Sequence, residues 1–332
     1  MENPNVGEKT SRHASPMFLV CGEALMDVFA AGDTAAGMGL DARVGGSPFN
    51  VAMGLARLGQ PVAFLAAVSR GFLGERLMRA LEAEGVDTSA VQRNDAPTTL
   101  GLVGLDAIRG PSYSFYGEGG ADRQLTAEAL QSVPKGTQAV QLGSYAAVVE
   151  PIASTLRALV EREHSRSLIA YDPNIRLNVE PALARWRGML EWMLPRAHLL
   201  KISEEDLQLV LPGTGVEAFA AIALDRGVKL VVVTRGAAGS LAWTRQAHAS
   251  VPSPQVEVVD AVGAGDTFQA ALLAWLAEQG CLSAPSLDAL TTAQLRSAVA
   301  FSARAAAITC SRRGADLPRR SELGRSEEPQ PQ

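Results

Sequence analysis

Cysteine, histidine, lysine and aromatic residues are all scarce in this chain of 332 residues, and each shortage removes a class of function. The 3 cysteines, Cys21, Cys281 and Cys310, lie far apart with no CxxC pair. Such a set makes neither a disulfide framework nor a zinc site. Free thiols suit a reducing cytosol, so a cytoplasmic protein is expected. The 4 histidines, His13, His164, His198 and His248, are scattered, which argues against a His-ligated metal and against a Ser–His pair. Aromatic residues are 5% of the chain, so the core has to be built from Ala, Val and Leu. The only lysines are Lys9, Lys135, Lys201 and Lys229, and the formal net charge is -5. With no basic excess to neutralise phosphates, a general nucleic-acid surface is excluded. One small anion held by backbone N–H groups remains open. No apolar run reaches the roughly 18 residues of a membrane span, so no membrane partner is expected. The opening MENPNVGEKTSRHASP carries no apolar signal region and reads as a disordered leader over residues 1–16, and the end reads as a disordered tail over 321–332.

What is present is an alternation of short apolar runs with helical patterns. FLVCG, PVAFLAAV, QAVQLG, SLIAYD, AHLLKIS and KLVVVT read as strands. Between them, Ser47–Leu58, GERLMRALEAEG, PIASTLRALVERE, PALARWRGMLEWML, EEDLQLVL and EAFAAIALDRG have helical spacing, with Gly59 and Gly85 as stops. Two long Ala-rich helices follow, near Asp266–Gln279 and Thr291–Thr309. Continuous apolar strands alternating with helices predict an α/β fold around a mostly parallel sheet covered on both faces. Two stretches break the rhythm, at about 31–44 and 97–118. The second contains β-like runs around a turn expected at Gly110–Pro111. Both read as a small β flap inserted into a single domain spanning 17–320.

The segment VEVVDAVGAGDTFQAALLAWL, Val256–Leu276, carries the most chemistry. A β-like run leads to Asp260, then Gly263-Ala264-Gly265, then Asp266 at the opening of an apolar helix. Glycines allow a sharp turn and close approach to a ligand. The first N–H groups of a helix lack partners and carry positive potential, which suits a transferring phosphoryl group. Asp266 at that mouth either accepts a proton from an attacking hydroxyl or caps the helix; the residues alone leave both readings open. There is no GxxxxGK[ST], no GxGxxG after a strand, no GxSxG and no HExxH.

VDAVGAGDTFQA resembles the second signature of the PfkB (ribokinase-like) carbohydrate kinases, DTxGAGDxFxA. VGGSPFNVAMGLARLG is similar to the family's Gly-Gly signature, and YDPNIR, KISEED, VVTRGAAGS and AAAITCSRRGADLP are similar to later blocks in the same order. The resemblance covers about residues 18–318. GEALMD, GGSPFN and YSFYGEGGADRQLT are most similar to the fructokinase branch.

The resemblance implies a ribokinase-like fold and a kinase that moves the γ-phosphate of MgATP to a hydroxyl of a neutral sugar, D-fructose first. Its rivals are 2-keto-3-deoxygluconate kinase, then ribokinase or nucleoside kinase; a catalytically silent sugar or nucleotide sensor is the non-enzyme alternative. Carried over residue by residue, Asp266 takes the general base and Gly263, Ala264 and Gly265 the anion hole. Asp27, Gly45, Gly46 and Asn50 fall where the family binds sugar hydroxyls, although by residue type alone the glycines also suit a turn and Asn50 a solvated helix face; Arg176, after the strand SLIAYD, suits a phosphate, a sugar substituent or a surface ion pair. Lys201, Thr234, Gly236 and Gly239 fall in the nucleotide site, and Glu204 where Mg2+ is held through water. Lys201 replaces the usual Asn and offers a point charge to phosphate. Asp260 and the carbonyls of Val262, Thr309 and Gly314 correspond to a K+ site, with Ala261 departing from the usual Thr. Gly117 stands where relatives that bind an acidic sugar tend to have Arg. The resemblance also implies a homodimer formed through the flap.

Overall fold

The computed structural model describes residues 18–106 and 110–324. The leader and most of the proposed tail lie outside them. In chain order the regular elements are β1 (Phe18–Cys21), β2 (Leu25–Thr34), β3 (Gly37–Gly45), α1 (Ser47–Arg57), β4 (Val62–Leu65), β5 (Ala67–Ser69), α2 (Phe72–Ala83), β6 (Gln92–Asn94), β7 (Leu100–Asp106) and β8 (Gly110–Tyr116). There follow β9 (Ala139–Gly143), α3 (Ile152–Glu163), β10 (Leu168–Asp172), α4 (Leu183–Met193), β11 (Leu199–Ser203), α5 (Glu204–Val210), α6 (Val216–Arg226) and β12 (Leu230–Thr234). The chain ends with β13 (Ser240–Trp243), β14 (His248–Val251), α7 (Ala264–Glu278), α8 (Ala284–Asp288) and α9 (Thr292–Cys310).

Eight strands form the central sheet in the order β14-β13-β12-β11-β10-β9-β1-β4. The six from β12 to β4 are parallel, and β13 and β14 run antiparallel at one edge. The parallel strands are almost wholly buried, as expected where helices cover both faces. One face packs on α1, α2, α7 and α9 through residues such as Phe49, Leu77, Phe268 and Phe301. The other packs on α3, α4, α5 and α6 through Leu156, Trp186, Leu207 and Phe219. The predicted α/β fold with a mostly parallel sheet is therefore what the chain adopts. The expected strand PVAFLAAV is divided after Leu65: β4 joins the large sheet, whereas β5 pairs with β6 in a separate ribbon.

β2, β3, β7 and β8 form a second sheet in the order β3-β2-β7-β8. It begins at Leu25, so its first hairpin is longer than the Gly/Ala-rich stretch alone announces. Gly110 and Pro111 open β8 instead of forming the expected turn. Residues 107–109, between β7 and β8, lie outside the described residues.

Chain order reverses across the central sheet beside β1, which pairs with β4 on one side and β9 on the other. Such a switch point opens a crevice at the carboxyl ends of the strands. α7 enters there. It is buried on nearly every side from Asp266 to Leu276, the pattern of a central helix. α1 crosses it closely at Gly54, where a Cβ would come 2.6 Å from Leu317 and 2.7 Å from Ala270. This crossing sets the distance between the two helices that carry Asn50 and Asp266. Gly54→Val should overpack it and lower stability by about 1–3 kcal/mol. A urea denaturation midpoint equal to that of the unsubstituted chain would show that the crossing is loose.

Candidate active site

Three clefts meet at the start of α7. The first, about 400 Å³, is walled by Asp27 and Phe29 of β2, Asn50 of α1, Phe115 of β8, Arg176 and Asp266. The second, about 360 Å³, is mainly apolar, with Val256, Phe268, Ala303 and Ala307 among its walls. The third, about 340 Å³, is polar, with Lys201, Glu204, Asp206, Thr234 and Arg235. Gly265 is the one residue that lines all three.

α7 begins at that junction because Gly263 adopts φ 77, a left-handed conformation that glycine tolerates without strain. Ala315 also packs so closely that a Cβ at position 263 would lie 2.6 Å from its own Cβ. Asp266 follows in the first turn, only 7% exposed. Its Oδ1 accepts from Ser47 Oγ at 2.7 Å and its Oδ2 from Asn50 Nδ2 at 2.8 Å. Burial pushes its pKa upward, and these two donors, with Arg176 and Lys201 nearby, pull it back. No side-chain bond caps the helix from Gly263, so Asp266 faces its donors on α1 and is not the cap.

Asp27 sits across the first cleft. Burial, with Asp266 second, raises its pKa to about 6, while Arg176 opposes the rise. Gly46 and Asn50 line this cleft, as does Arg176. Gly45 does not. A Cβ there would sit 2.2 Å from Asp27 Oδ2, so Gly45 makes room for the aspartate. Ala264 is also drawn away: its N–H donates to the Ala261 carbonyl at 3.2 Å and it lines the apolar cleft. Of the three expected anion-hole residues, Gly263 and Gly265 line the first cleft.

Gly117 is not part of the wall either. A Cβ there would meet Thr99 at 2.7 Å and the Arg123 guanidinium at 3.0 Å. The wall on that side is Phe115, with Phe29 and Val103 beside it. Among the described residues, Arg176 is the one cationic side chain lining the cleft, against the carboxyl groups of Glu23, Asp27 and Asp266.

Lys201 lines the polar cleft but is not free. Its Nζ donates to Asp172 Oδ2 at 2.6 Å, with both side chains 5% exposed. Nζ also lies beside Gly265, 3.3 Å from where a Cβ would be. Glu204 opens α5 after Ser203, whose Oγ caps the helix by accepting from the Asp206 N–H at 3.0 Å. Burial and Asp172 raise Asp206 to about 6. Thr234 and Gly236 line both the apolar and polar clefts, and Gly239 lines the apolar one. At Gly239, φ is 90 and a Cβ would lie 2.2 Å from the Val251 carbonyl, so only glycine fits.

Asp260 precedes Gly263 on the segment leading into α7. Its Oδ1 accepts from the Val262 N–H at 3.0 Å and its Oδ2 from the Gly314 N–H at 2.8 Å. The carbonyls of Thr309 and Gly314 accept from the N–H groups of Arg312 and Asp316. Thr309 is fully buried, its hydroxyl 2.8 Å from that of Thr267.

Several residues escaped the sequence reading. Ser47 shares the face of α1 with Asn50, one turn apart, a spacing that could have flagged it. Asp172 is hidden inside a strand-like run. Glu23 ends the run after β1, only 1% exposed, with Oε2 unpartnered among the described residues. Burial, opposed chiefly by the Ser144 hydroxyl, lifts its pKa from 4.5 to about 8.

The whole pattern matches one family. The model for the pfkB family carbohydrate kinase matches residues 16–322, and the chain belongs to that family. It is 36% identical over 281 residues to a fructokinase of Rhizobium leguminosarum bv. trifolii, covering 84% of this chain and 86% of that protein. It is 32% identical to fructokinase-1 of Zea mays, again over 84% of this chain and 86% of the relative. The structure of Xylella fastidiosa fructokinase with bound ATP superposes with a TM-score of 0.82 at 28% identity, covering 92% of this chain and 96% of that one. Vibrio cholerae O395 fructokinase, a double mutant with fructose, ADP and potassium ion bound, superposes with a TM-score of 0.79 at 25% identity, covering 93% and 98%.

The raised pKa of Glu23 has a definite sign for stability. A carboxyl group whose folded pKa exceeds its unfolded one contributes fully below the unfolded value, here 4.5, and loses that contribution as pH rises through about 8. Glu23→Gln removes the charge, so its Tm relative to the unsubstituted chain should be higher at pH 9 than at pH 5. A difference independent of pH would mean that Glu23 is not buried as an uncompensated acid.

Proposed function

We propose that this chain is an ATP-dependent fructokinase, moving the γ-phosphoryl group of ATP to a hydroxyl of D-fructose. The observation that carries the reading is the position of Asp266, a buried carboxylate at the wall between a polar sugar-sized cleft and a helix start that also faces the other two clefts. The fructokinase relatives support fructose as the sugar.

The first cleft takes the sugar. Asp27, Asn50 and Gly46 offer acceptors and donors to its hydroxyl groups, and Phe29, Val103 and Phe115 close over it from the four-stranded sheet, excluding water. Ser47 and Asn50 aim Asp266 and oppose the upward push of burial on its pKa. Asp266 then accepts the proton as the sugar oxygen attacks phosphorus, and the bond from phosphorus to the bridging oxygen breaks toward ADP. The N–H groups around Gly263 and Gly265, with the Lys201 ammonium, face the moving phosphoryl charge. The apolar second cleft suits an adenine ring, with Thr234, Gly236 and Gly239 at its rim.

The carboxylates of Glu204 and Asp206 are hard oxygen donors that fit Mg2+ through water, and Asp172 Oδ1 beside them has no partner among the described residues. Mg2+, when bound, neutralises phosphate charge. The K+ site is proposed at Asp260 and the carbonyls of Val262, Thr309 and Gly314; the Gly314 carbonyl accepts the Asp316 N–H and keeps a second lone pair. Met38, 60% exposed, and Leu40, 56% exposed, on the edge strand β3 support a homodimer through this sheet.

Asp266→Asn should keep the fold and fructose affinity and lower kcat by about 10²–10⁴-fold. More than half the original rate would sink the base assignment. Because burial raises Asp266 and Asp27 lies near 6, kcat/KM should fall on acidification from above the ordinary carboxylate range. In the same ADP-release assay, EDTA should stop turnover, and exchanging Na+ for K+ should raise it.

Substrate preference follows from the cleft's charge. An acidic sugar would face the Asp27 and Asp266 carboxyl groups with Arg176 as the one cation among the described lining residues, and unpaired buried charge is costly. kcat/KM for D-fructose should exceed that for 2-keto-3-deoxygluconate by at least about tenfold, roughly 1.4 kcal/mol. A preference for the keto-acid would make Arg176 a carboxylate clamp and overturn the fructose reading.

A further inference from the structure

Arg43 stands near the end of β3, where the four-stranded sheet approaches the body of the protein. Its guanidinium has three engagements. Nε and Nη2 donate to Asp41 Oδ2, at 2.9 and 2.6 Å. The group lies over the Phe29 ring, 5.6 Å from its centroid. Nη1 donates to the carbonyl of Arg313 at 2.8 Å, a bond between residues 270 positions apart. The paired contact with Asp41 fixes the plane of the guanidinium and turns Nη1 toward the loop after α9. The ion pair itself is half-exposed and contributes little. The bond from a charged donor to a carbonyl is the stronger element.

That loop lies behind the phosphoryl site. Gly314, next to Arg313, has φ 71, and a Cβ on it would lie 2.8 Å from Arg43 Nη1. Glycine is required there by the backbone and by the approach of Arg43 together. The Gly314 N–H binds Asp260, whose other oxygen holds the Val262 N–H. Val262 and Gly263 line the sugar cleft, and Ala315 packs against Gly263 at the start of α7. At the opposite end, Phe29 lines the same cleft. Arg43 therefore touches both an apolar wall of the cleft and the loop that shapes the anion hole.

We infer that Arg43 is a positioning residue for phosphoryl transfer, latching the four-stranded sheet to the Arg313–Gly314 loop so that a sugar seated against Phe29 also fixes the amides around Gly263. It acts through Asp260 and the loop, not on the reacting atoms. The inference rests on the sugar-kinase reading above, and its test separates the two.

The full chain is assayed with D-fructose and MgATP. Arg43→Ala should lower kcat/KM for fructose by about tenfold or more, the scale of a small misplacement of reacting groups, with KM for ATP within about twofold and Tm nearly unchanged. Arg43→Lys keeps one charged donor for the Arg313 carbonyl and should recover a large part of the loss. Hydrogen exchange without ligands supplies a readout independent of turnover: peptides covering 259–263 and 311–316 should exchange faster in Arg43→Ala. Fructose kinetics equal to those of the unsubstituted chain would overturn the inference. So would a loss of rate with unchanged exchange, because the route through the loop would then be absent. If the unsubstituted chain phosphorylates no neutral sugar, the proposed function fails, and unchanged exchange would overturn the latch as well.

Discussion

A general base for a sugar hydroxyl must be an ionised carboxylate held away from water, and those two demands conflict. Burial favours the neutral acid. Here α1 opposes the effect of burial: Ser47 and Asn50 each donate to one oxygen of Asp266, the proposed base. Their reach depends on the close crossing of α1 and α7 at Gly54. The crossing in turn needs the central sheet beneath both helices, with the switch point beside β1 opening the crevice at the right strand ends. The two glycine-bearing signatures, more than 200 residues apart, thus form one device.

The alternation of apolar strands and helices was readable because a sheet covered on both faces leaves continuous apolar runs, and α1, α2 and α6 ended where Gly59, Gly85 and Gly227 stop the chain. Asp266, Asn50 and Asp27 were readable through spacing and family likeness. What escaped depends on pairs distant in sequence. Nothing near Lys201 announces that Asp172, on the neighbouring strand, takes its ammonium. Gly45 carries the mark of a ligand loop, yet its lack of a side chain serves Asp27. Gly117 sits close to the cleft in sequence but faces Thr99 and Arg123 in space. Glu23 looks like the polar end of a strand, and only the packing around it reveals a buried acid.

The cleft's electrostatics and its apolar cover act together. Asp27 and Asp266 beside Arg176, the one cationic side chain among the described lining residues, favour a neutral polyol over an acidic sugar. Phe29 and Phe115 supply contact area without adding charge. The polar third cleft is built the other way, with Lys201, Arg176 and Arg235 facing Glu204 and Asp206, a mixture suited to a polyanion accompanied by a hard cation. Gly265 lies where the two environments touch, and a Cβ there would lie 3.3 Å from Lys201 Nζ.

The central claim is that Asp266 touches the attacking hydroxyl at the boundary between sugar and phosphate. A crystal structure of the complex with D-fructose and a non-hydrolysable ATP analogue tests it most directly. The account predicts one fructose hydroxyl oxygen about 3 Å from the Asp266 carboxylate, in line with the terminal phosphorus, and that phosphate against the amides around Gly263 and Gly265. A sugar bound with no hydroxyl in reach of Asp266, or a terminal phosphate seated away from the start of α7, would contradict it.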